Sequence, residues 1–193
     1  MNIVYATDDN GALGTGVSIV SLMENLPPGV HADIYIMTGG LSGDNTARFH
    51  SLQQGYNLHL HFIDMKDKYT DFPVGSKWSE ATYYRLGLAG ELPATVERAL
   101  YVDIDTIFNR DISPMYESEF GDCLIAGVFT TEDLSEESFS RWKREMNLDR
   151  SSIYINAGVI LYHIGRIREE CFESQVLSWA KNNIHRLSWQ DQD

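Results

Sequence analysis

A chain of 193 residues is the size of one compact domain, or of a domain with a short extension. Its hydrophobic share of 43%, with 11% aromatics, belongs to a protein with a packed core and excludes an intrinsically disordered chain. Fifteen basic and 28 acidic residues leave a net charge of −13; such a surface repels nucleic-acid backbones and anionic membranes, and a phosphorylated substrate would need a cation to mediate.

Along the chain, short apolar runs alternate with longer amphipathic stretches. The opening "MNIVYATDDNG" lacks the basic-then-apolar pattern of a secretory signal. Within it, residues 2–6 read as a buried strand, followed by a helix near 13–25 with Val17, Val20 and Met23 on one side. A second strand is expected at 33–38, and the turn "GGLSGDN" leads to a helix around Ala47 to Leu52. In residues 57–63, Leu58, Leu60 and Phe62 alternate with His59 and His61, the pattern of a half-buried strand. Ser79 caps a helix over 79–92, in which Tyr83 and Tyr84 read as one core and one surface contact. Strands follow at 99–104 and 123–129, then a helix across 136–146, a strand at 154–164 and a long helix from about Arg166 to Ile184. This alternation predicts a single α/β domain with a mainly parallel sheet and helices on both faces. No run reaches the length of a membrane span, so a cytoplasmic protein is expected. Cys123 and Cys171 have no metal-ligand spacing and read as reduced, buried thiols.

In sheets of this kind, ligands bind beyond the carboxyl ends of the strands. Polar residues gather at three expected strand ends: "ATDDN" (6–10), Asp103-Ile104-Asp105, and Asn156-Ala157-Gly158, with "QDQD" (190–193) as a fourth cluster. The run "ALYVDIDTIFNRDISP" (99–114) is the most informative. Asp103 and Asp105 are one residue apart and would point the same way from an extended chain. Unscreened, each would make the other harder to ionise, and a bound divalent cation relieves that repulsion. Carboxylate oxygens suit Mg²⁺ or Mn²⁺ and leave positions for phosphate oxygens and water. Solvated acids in a turn are the plain alternative. Two enzyme classes would use the metal: transferases in which it stabilises a nucleoside diphosphate leaving group, and haloacid dehalogenase-like phosphatases, whose opening motif "DIDTI" fits. That motif usually opens its fold, whereas here about half the chain precedes it.

Taken together, "MNIVYATDDN", "ATYYRLGLAGELP", "RALYVDIDTIFNRDISPMYE", "YINAGVILYHI" and "WQDQD" resemble glycosyltransferase family 8, in family order across the chain. This is the retaining group that includes lipopolysaccharide galactosyl- and glucosyltransferases and the glycogenins. The resemblance implies a GT-A fold, a UDP-hexose donor, Mn²⁺ (or Mg²⁺) as cofactor and a saccharide or glycolipid acceptor. It places Ala6, Thr7, Asp8 and Asn10 at the uridine, Asp103 and Asp105 on the metal, and Ile104 by the nucleoside. Arg85 matches an arginine beside the donor diphosphate and sugar. Asn156, Ala157, Asp191 and Gln192 match residues around the transferred sugar, with Asp191, Gln192 and Arg85 in catalytic roles. Gln192 stands where a nucleophile would be sought, but a carboxamide is a poor one, so retention is expected through front-face attack on an oxocarbenium-like state.

The chain departs from the family pattern in two places. The family carries a further metal ligand, a histidine in a C-terminal segment, with glycine and lysine that close over the diphosphate; this sequence ends at Asp193. A domain lacking that segment is therefore expected, with the consequence of weak turnover or a donor-binding remnant, and peripheral association with the inner face of the membrane is expected to run through the missing segment. The six histidines, His31, His50, His59, His61, His163 and His185, read as ordinary structural residues rather than replacements. Thr130 stands where family members often have an Asp, with Asp133 nearby but shifted.

Overall fold

The computed structural model describes residues 1–72, 79–129, 143–144, 149 and 153–183. Apart from the helical pair Lys143 and Arg144, the expected helix over 136–146 lies outside the described residues, as do Thr130, Asp133, Asp191 and Gln192. Six strands form one sheet: β1 (Asn2–Ala6), β2 (Ala32–Thr38), β3 (Leu58–Asp64), β4 (Ala99–Val102), β5 (Ile125–Phe129) and β6 (Ile155–Tyr162). Their order across the sheet is β3-β2-β1-β4-β6-β5. Strands β1 to β4 run parallel, whereas β6 runs antiparallel to both β4 and β5.

Strand alternation divides the core into two layers. Ile3, Tyr5, Ile34, Ile36, Leu100 and Val102 point to one face, packed by α1 (Ala12–Asn25) and α2 (Gly43–Gly55). Val4, Ala6, Tyr35, Met37, Ala99 and Tyr101 point to the other, with Tyr83, Tyr84, Leu88 and Ile167. Ile3, Val4, Leu100 and Val102 are wholly buried, and burial of each such side chain contributes about 1.5–3 kcal/mol. A sheet covered on both faces needs the continuous apolar runs seen in β1 and β4.

The helices depart from expectation in instructive ways. In α1 the buried side is Ala12, Thr15, Ser18, Ile19, Leu22 and Met23, and Val17 is exposed. Helix α2 starts earlier than its apolar pattern suggests, because the Ser42 hydroxyl accepts from the Asn45 N–H and caps it. The expected helix over 79–92 is broken into α3 (Ala81–Tyr84), a 3₁₀ turn (Arg85–Gly87) and α4 (Leu88–Glu91), and Tyr83 and Tyr84 are both buried. After the short α5 (Ser113–Tyr116), the long C-terminal helix divides into α6 (Ile164–Glu169) and α7 (Phe172–Asn183). Cys171 at the break has φ 50°, a left-handed conformation that cannot continue a helix. Both cysteines are free, and both are exposed rather than buried.

Arg168 of α6 closes the loop after α4. Its guanidinium donates to the carbonyls of Ala89, Leu92, Pro93, Ala94 and Val96 at 2.8–3.3 Å. Of these, the Pro93 carbonyl also accepts from the Val96 N–H at 2.9 Å; the others include carbonyls of the kind a short helix and its exit leave without a partner of their own. Among the described residues no helix is long and apolar enough to cross a membrane.

Candidate functional site

The carboxyl ends of β1 and β4 lie side by side in the sheet, and the amino end of antiparallel β6 reaches the same edge. Val102 is the register partner of Val159, and the Asp103 N–H donates to the Gly158 carbonyl at 2.8 Å. Asn156, Ala157 and Gly158 thus meet Asp103 because β6 is reversed. They stand at the start of their strand, not at its end.

Strand β4 stops at Val102, so Asp103, Ile104 and Asp105 form a turn, closed by the Thr106 N–H donating to the Asp103 carbonyl at 3.2 Å. The two acids are therefore not successive outward residues of an extended chain. Asp103 continues the face of Tyr101, two residues before it. The Tyr101 hydroxyl donates to Asp103 Oδ1 at 3.1 Å. Arg85, 7% exposed, reaches the same oxygen from the 3₁₀ turn at 2.7 Å and donates to the Ala157 carbonyl at 2.5 Å. Its guanidinium lies 4.2 Å above the Tyr101 ring, a stacking that favours a cation. One buried arginine thus ties β4, β6 and the turn together.

The other Asp103 oxygen faces Gly158. A Cβ at position 158 would stand 2.8 Å from Asp103 Oδ2 and 2.8 Å from Asn156 Oδ1. Glycine therefore leaves a cradle beside the carboxylate. Asn156 is exposed, and its side-chain oxygen accepts from the Gly158 N–H at 2.7 Å. Asp105 is exposed. Hard oxygen donors next to open space are a set that fits Mg²⁺ or Mn²⁺. Among the described residues no third His, Cys, Asp or Glu completes a cluster with this pair; the cluster that does form is His31, Asp33 and His59, elsewhere in the fold.

The loop after β1 packs against the same turn. Thr7 is buried; its N–H donates to the Met37 carbonyl and its hydroxyl to the Asp8 carbonyl, both at 3.0 Å. Asp8 Oδ1 accepts from the Gly11 N–H at 2.9 Å and orders the entry to α1. Ile104 covers this entry so closely that a Cβ at Gly11 would stand 2.6 Å from its Cδ1. Asn10 is exposed at the loop tip and Ala6 is buried at the strand end. Asp9 is used locally: Oδ1 accepts from the Ser42 N–H and from Asn45 at 2.7 and 2.8 Å.

Two residues at this edge, Tyr101 and Tyr84, escape a reading by residue type. Tyr101 carried a signal, since position i−2 on a strand shares the face of Asp103. Burial pushes the Tyr84 phenol up to about 12, with the charges of Glu80, Asp8 and Asp64 adding to it, so it stays a neutral donor. Next to the site, Arg85 and Ala157 also line a cavity of about 520 Å³ against Ile155, Val176 and Trp179.

A model of the family described as glycosyl transferase family 8 matches residues 2–193. The chain is 28% identical over 200 aligned positions to the lipopolysaccharide 1,3-galactosyltransferase of Salmonella typhimurium, covering 100% of the chain and 57% of that protein. It is 27% identical over 194 positions to the lipopolysaccharide 1,2-glucosyltransferase of Escherichia coli K12, covering 99% of the chain and 56% of the relative. The chain spans a little over half the length of these curated relatives. Among solved structures, the galactosyltransferase LgtC in complex with donor and acceptor sugar analogs superposes with a TM-score of 0.88 at 25% identity, over 100% of this chain and 68% of that one.

Proposed function

Because the chain belongs to glycosyltransferase family 8, we propose that it transfers galactose or glucose from a UDP-hexose to a saccharide or glycolipid acceptor, in the synthesis of lipopolysaccharide or another cell-surface glycan. The lipopolysaccharide enzymes among its relatives and the likeness to LgtC support that substrate class, whereas the phosphatase alternative draws no support from them. The observation that carries the reading is the junction at Asp103: one oxygen held by Arg85 and Tyr101, the other left beside the Gly158 cradle.

Asp103 and Asp105 would hold Mn²⁺ or Mg²⁺. When bound, that ion neutralises the donor diphosphate and the charge that grows on departing UDP. The work of the protein is positioning. Arg85 and Tyr101 fix the Asp103 carboxylate in one rotamer, so its free oxygen needs no reorganisation when donor arrives. Ala6, Thr7, Asp8 and Asn10 form the loop that reads the uracil, with Ile104 packed beneath the nucleoside. The resemblance assigns Asn156, Ala157, Asp191 and Gln192 to the transferred sugar. With a carboxamide at Gln192 in place of a nucleophile, the acceptor hydroxyl attacks the anomeric carbon on the face UDP leaves, and its proton passes to the departing phosphate oxygen.

Release of UDP from UDP-galactose and UDP-glucose, followed with and without Mn²⁺, tests this reading. Metal-dependent release from either donor supports it. Failure to release UDP from either, by protein that instead liberates inorganic phosphate from a phosphomonoester, overturns it in favour of the phosphatase.

A further inference from the structure

At the opposite end of the sheet, the amino ends of β2 and β3 bring together His31, Asp33, His59 and His61. Asp33 and His59 are register partners on adjacent parallel strands, and His31 immediately precedes β2. One ligand atom from each of His31, Asp33 and His59 lies within 4.8 Å of the others.

The hydrogen bonds around the cluster decide which ring nitrogen faces inward. The Asn57 amide nitrogen donates to the carbonyls of Gly29 and Val30 at 3.4 and 3.1 Å, so its oxygen is turned toward His31. That oxygen is an acceptor, so His31 Nδ1, 3.2 Å away, must be the donor. In the neutral ring Nε2 then carries a lone pair, and it points at Asp33 Oδ2 3.6 Å away. A lone pair facing a carboxylate oxygen is repulsive unless a cation stands between them or the ring is protonated. The second Asp33 oxygen is occupied: His61 Nε2 lies 2.8 Å from Oδ1. Both features have the form of a metal site's outer shell, in which the far nitrogen of a ligating imidazole, or the far oxygen of a ligating carboxylate, is held by a neighbour.

We propose that His31 Nε2, Asp33 Oδ2 and a ring nitrogen of His59 bind one divalent transition ion of the zinc class, with Asn57 and His61 as the outer residues that orient them. Two imidazoles and one carboxylate are the mixed nitrogen and oxygen donors such ions prefer, unlike the all-oxygen pair at Asp103 and Asp105. Tetrahedral ligands about 2.0–2.1 Å from an ion stand about 3.4 Å apart, so the cluster closes by side-chain rotation, which exposure permits: His59 is exposed and the His31 side chain is 38% exposed. The ion would cross-link edge strand β3 to β2. Its role is structural, and it is independent of the donor site and of the transferase reading.

Cobalt supplies the test, because Co²⁺ bound by imidazole shows visible d–d absorption. Full chain is titrated with Co²⁺ and then with Zn²⁺ as competitor, for wild type, His59→Ala, His31→Gln, His50→Ala and the double variant Asp103→Asn/Asp105→Asn. The proposal expects saturable bands that Zn²⁺ removes, retained in His50→Ala and in the Asp103/Asp105 variant. His59→Ala and His31→Gln should weaken binding by more than about tenfold, with unchanged circular dichroism. Zn²⁺ should also raise the unfolding temperature of wild type but not of His59→Ala. Bands that never saturate, that survive both histidine substitutions within tenfold, or that disappear with the Asp103/Asp105 pair overturn the site and leave an ordinary His–Asp cluster.

Discussion

Replacing Arg85 by Met keeps an unbranched side chain of similar reach and removes only the guanidinium. The bond to Asp103 at 2.7 Å is charge-assisted, a class worth about 1.5–3 kcal/mol. The Asp103 side chain is 36% exposed and can rehydrate, so the lower end applies. The Ala157 carbonyl, in a buried residue, loses the Arg85 donor 2.5 Å away, which costs about 1–3 kcal/mol. Loss of the stack on Tyr101 costs about 0.5–1 kcal/mol more. Methionine's apolar carbons offset part of this, leaving an expected loss of about 2–4 kcal/mol. Urea unfolding at unchanged slope reads that loss as a lower midpoint. Calorimetric affinity for UDP with Mn²⁺ should fall as well, since Asp103 is released from its rotamer. A stability loss under about 0.5 kcal/mol together with unchanged UDP affinity would refute the claim that Arg85 organises this edge.

Gly158→Ala places a methyl group 2.8 Å from Asp103 Oδ2 and Asn156 Oδ1; displacing the carboxylate by about 1 Å should lower turnover of UDP-sugar about 100-fold, while the unfolding midpoint moves far less. Arg168→Lys leaves most of the five carbonyls around α4 without their donor and should cost about 2–3 kcal/mol in urea unfolding, with Mn²⁺-dependent UDP affinity intact. Burial holds Glu173 above its ordinary value of 4.5, partly offset by the N–H groups of Gly90 and Ala89. The folded state therefore keeps this proton more tightly than the unfolded chain, so Glu173 costs stability as pH rises above about 4.5 and through the folded value. Glu173→Gln removes that cost, and the stability difference between variant and wild type should widen from pH 4 to pH 7 in parallel urea titrations.

Strand positions were legible because burial on both faces demands unbroken apolar runs, as in Ile3–Ala6 and Leu100–Val102. The acids at 103 and 105 were legible as a strand-end pair for the same reason. Strand direction was not, since periodicity reports burial and not polarity of the chain. That is why Asn156–Gly158 looked like a strand end, although the reversal of β6 is what delivers it to Asp103. Arg85 was legible only through the family resemblance; its partners here, Asp103 and the Ala157 carbonyl, are distant in sequence, so no local pattern announces its burial. Helix breaks were hidden too. The periodic pattern of 166–184 runs through Cys171, whose backbone conformation only the packing of α6 and α7 sets. The histidines at 31, 59 and 61 looked unrelated because strand register, not sequence spacing, brings them to Asp33.

In the proposed reaction, Asp103 and Asp105 join a divalent ion to the diphosphate of the donor. Room-temperature paramagnetic resonance of Mn²⁺ tests it directly, because the six-line signal of the free ion fades on binding. Adding UDP to the wild-type chain should remove free Mn²⁺ signal beyond what UDP removes by itself, and Asp103→Asn/Asp105→Asn should abolish that excess. An equal loss of signal in the double variant would contradict a metal site at Asp103 and Asp105.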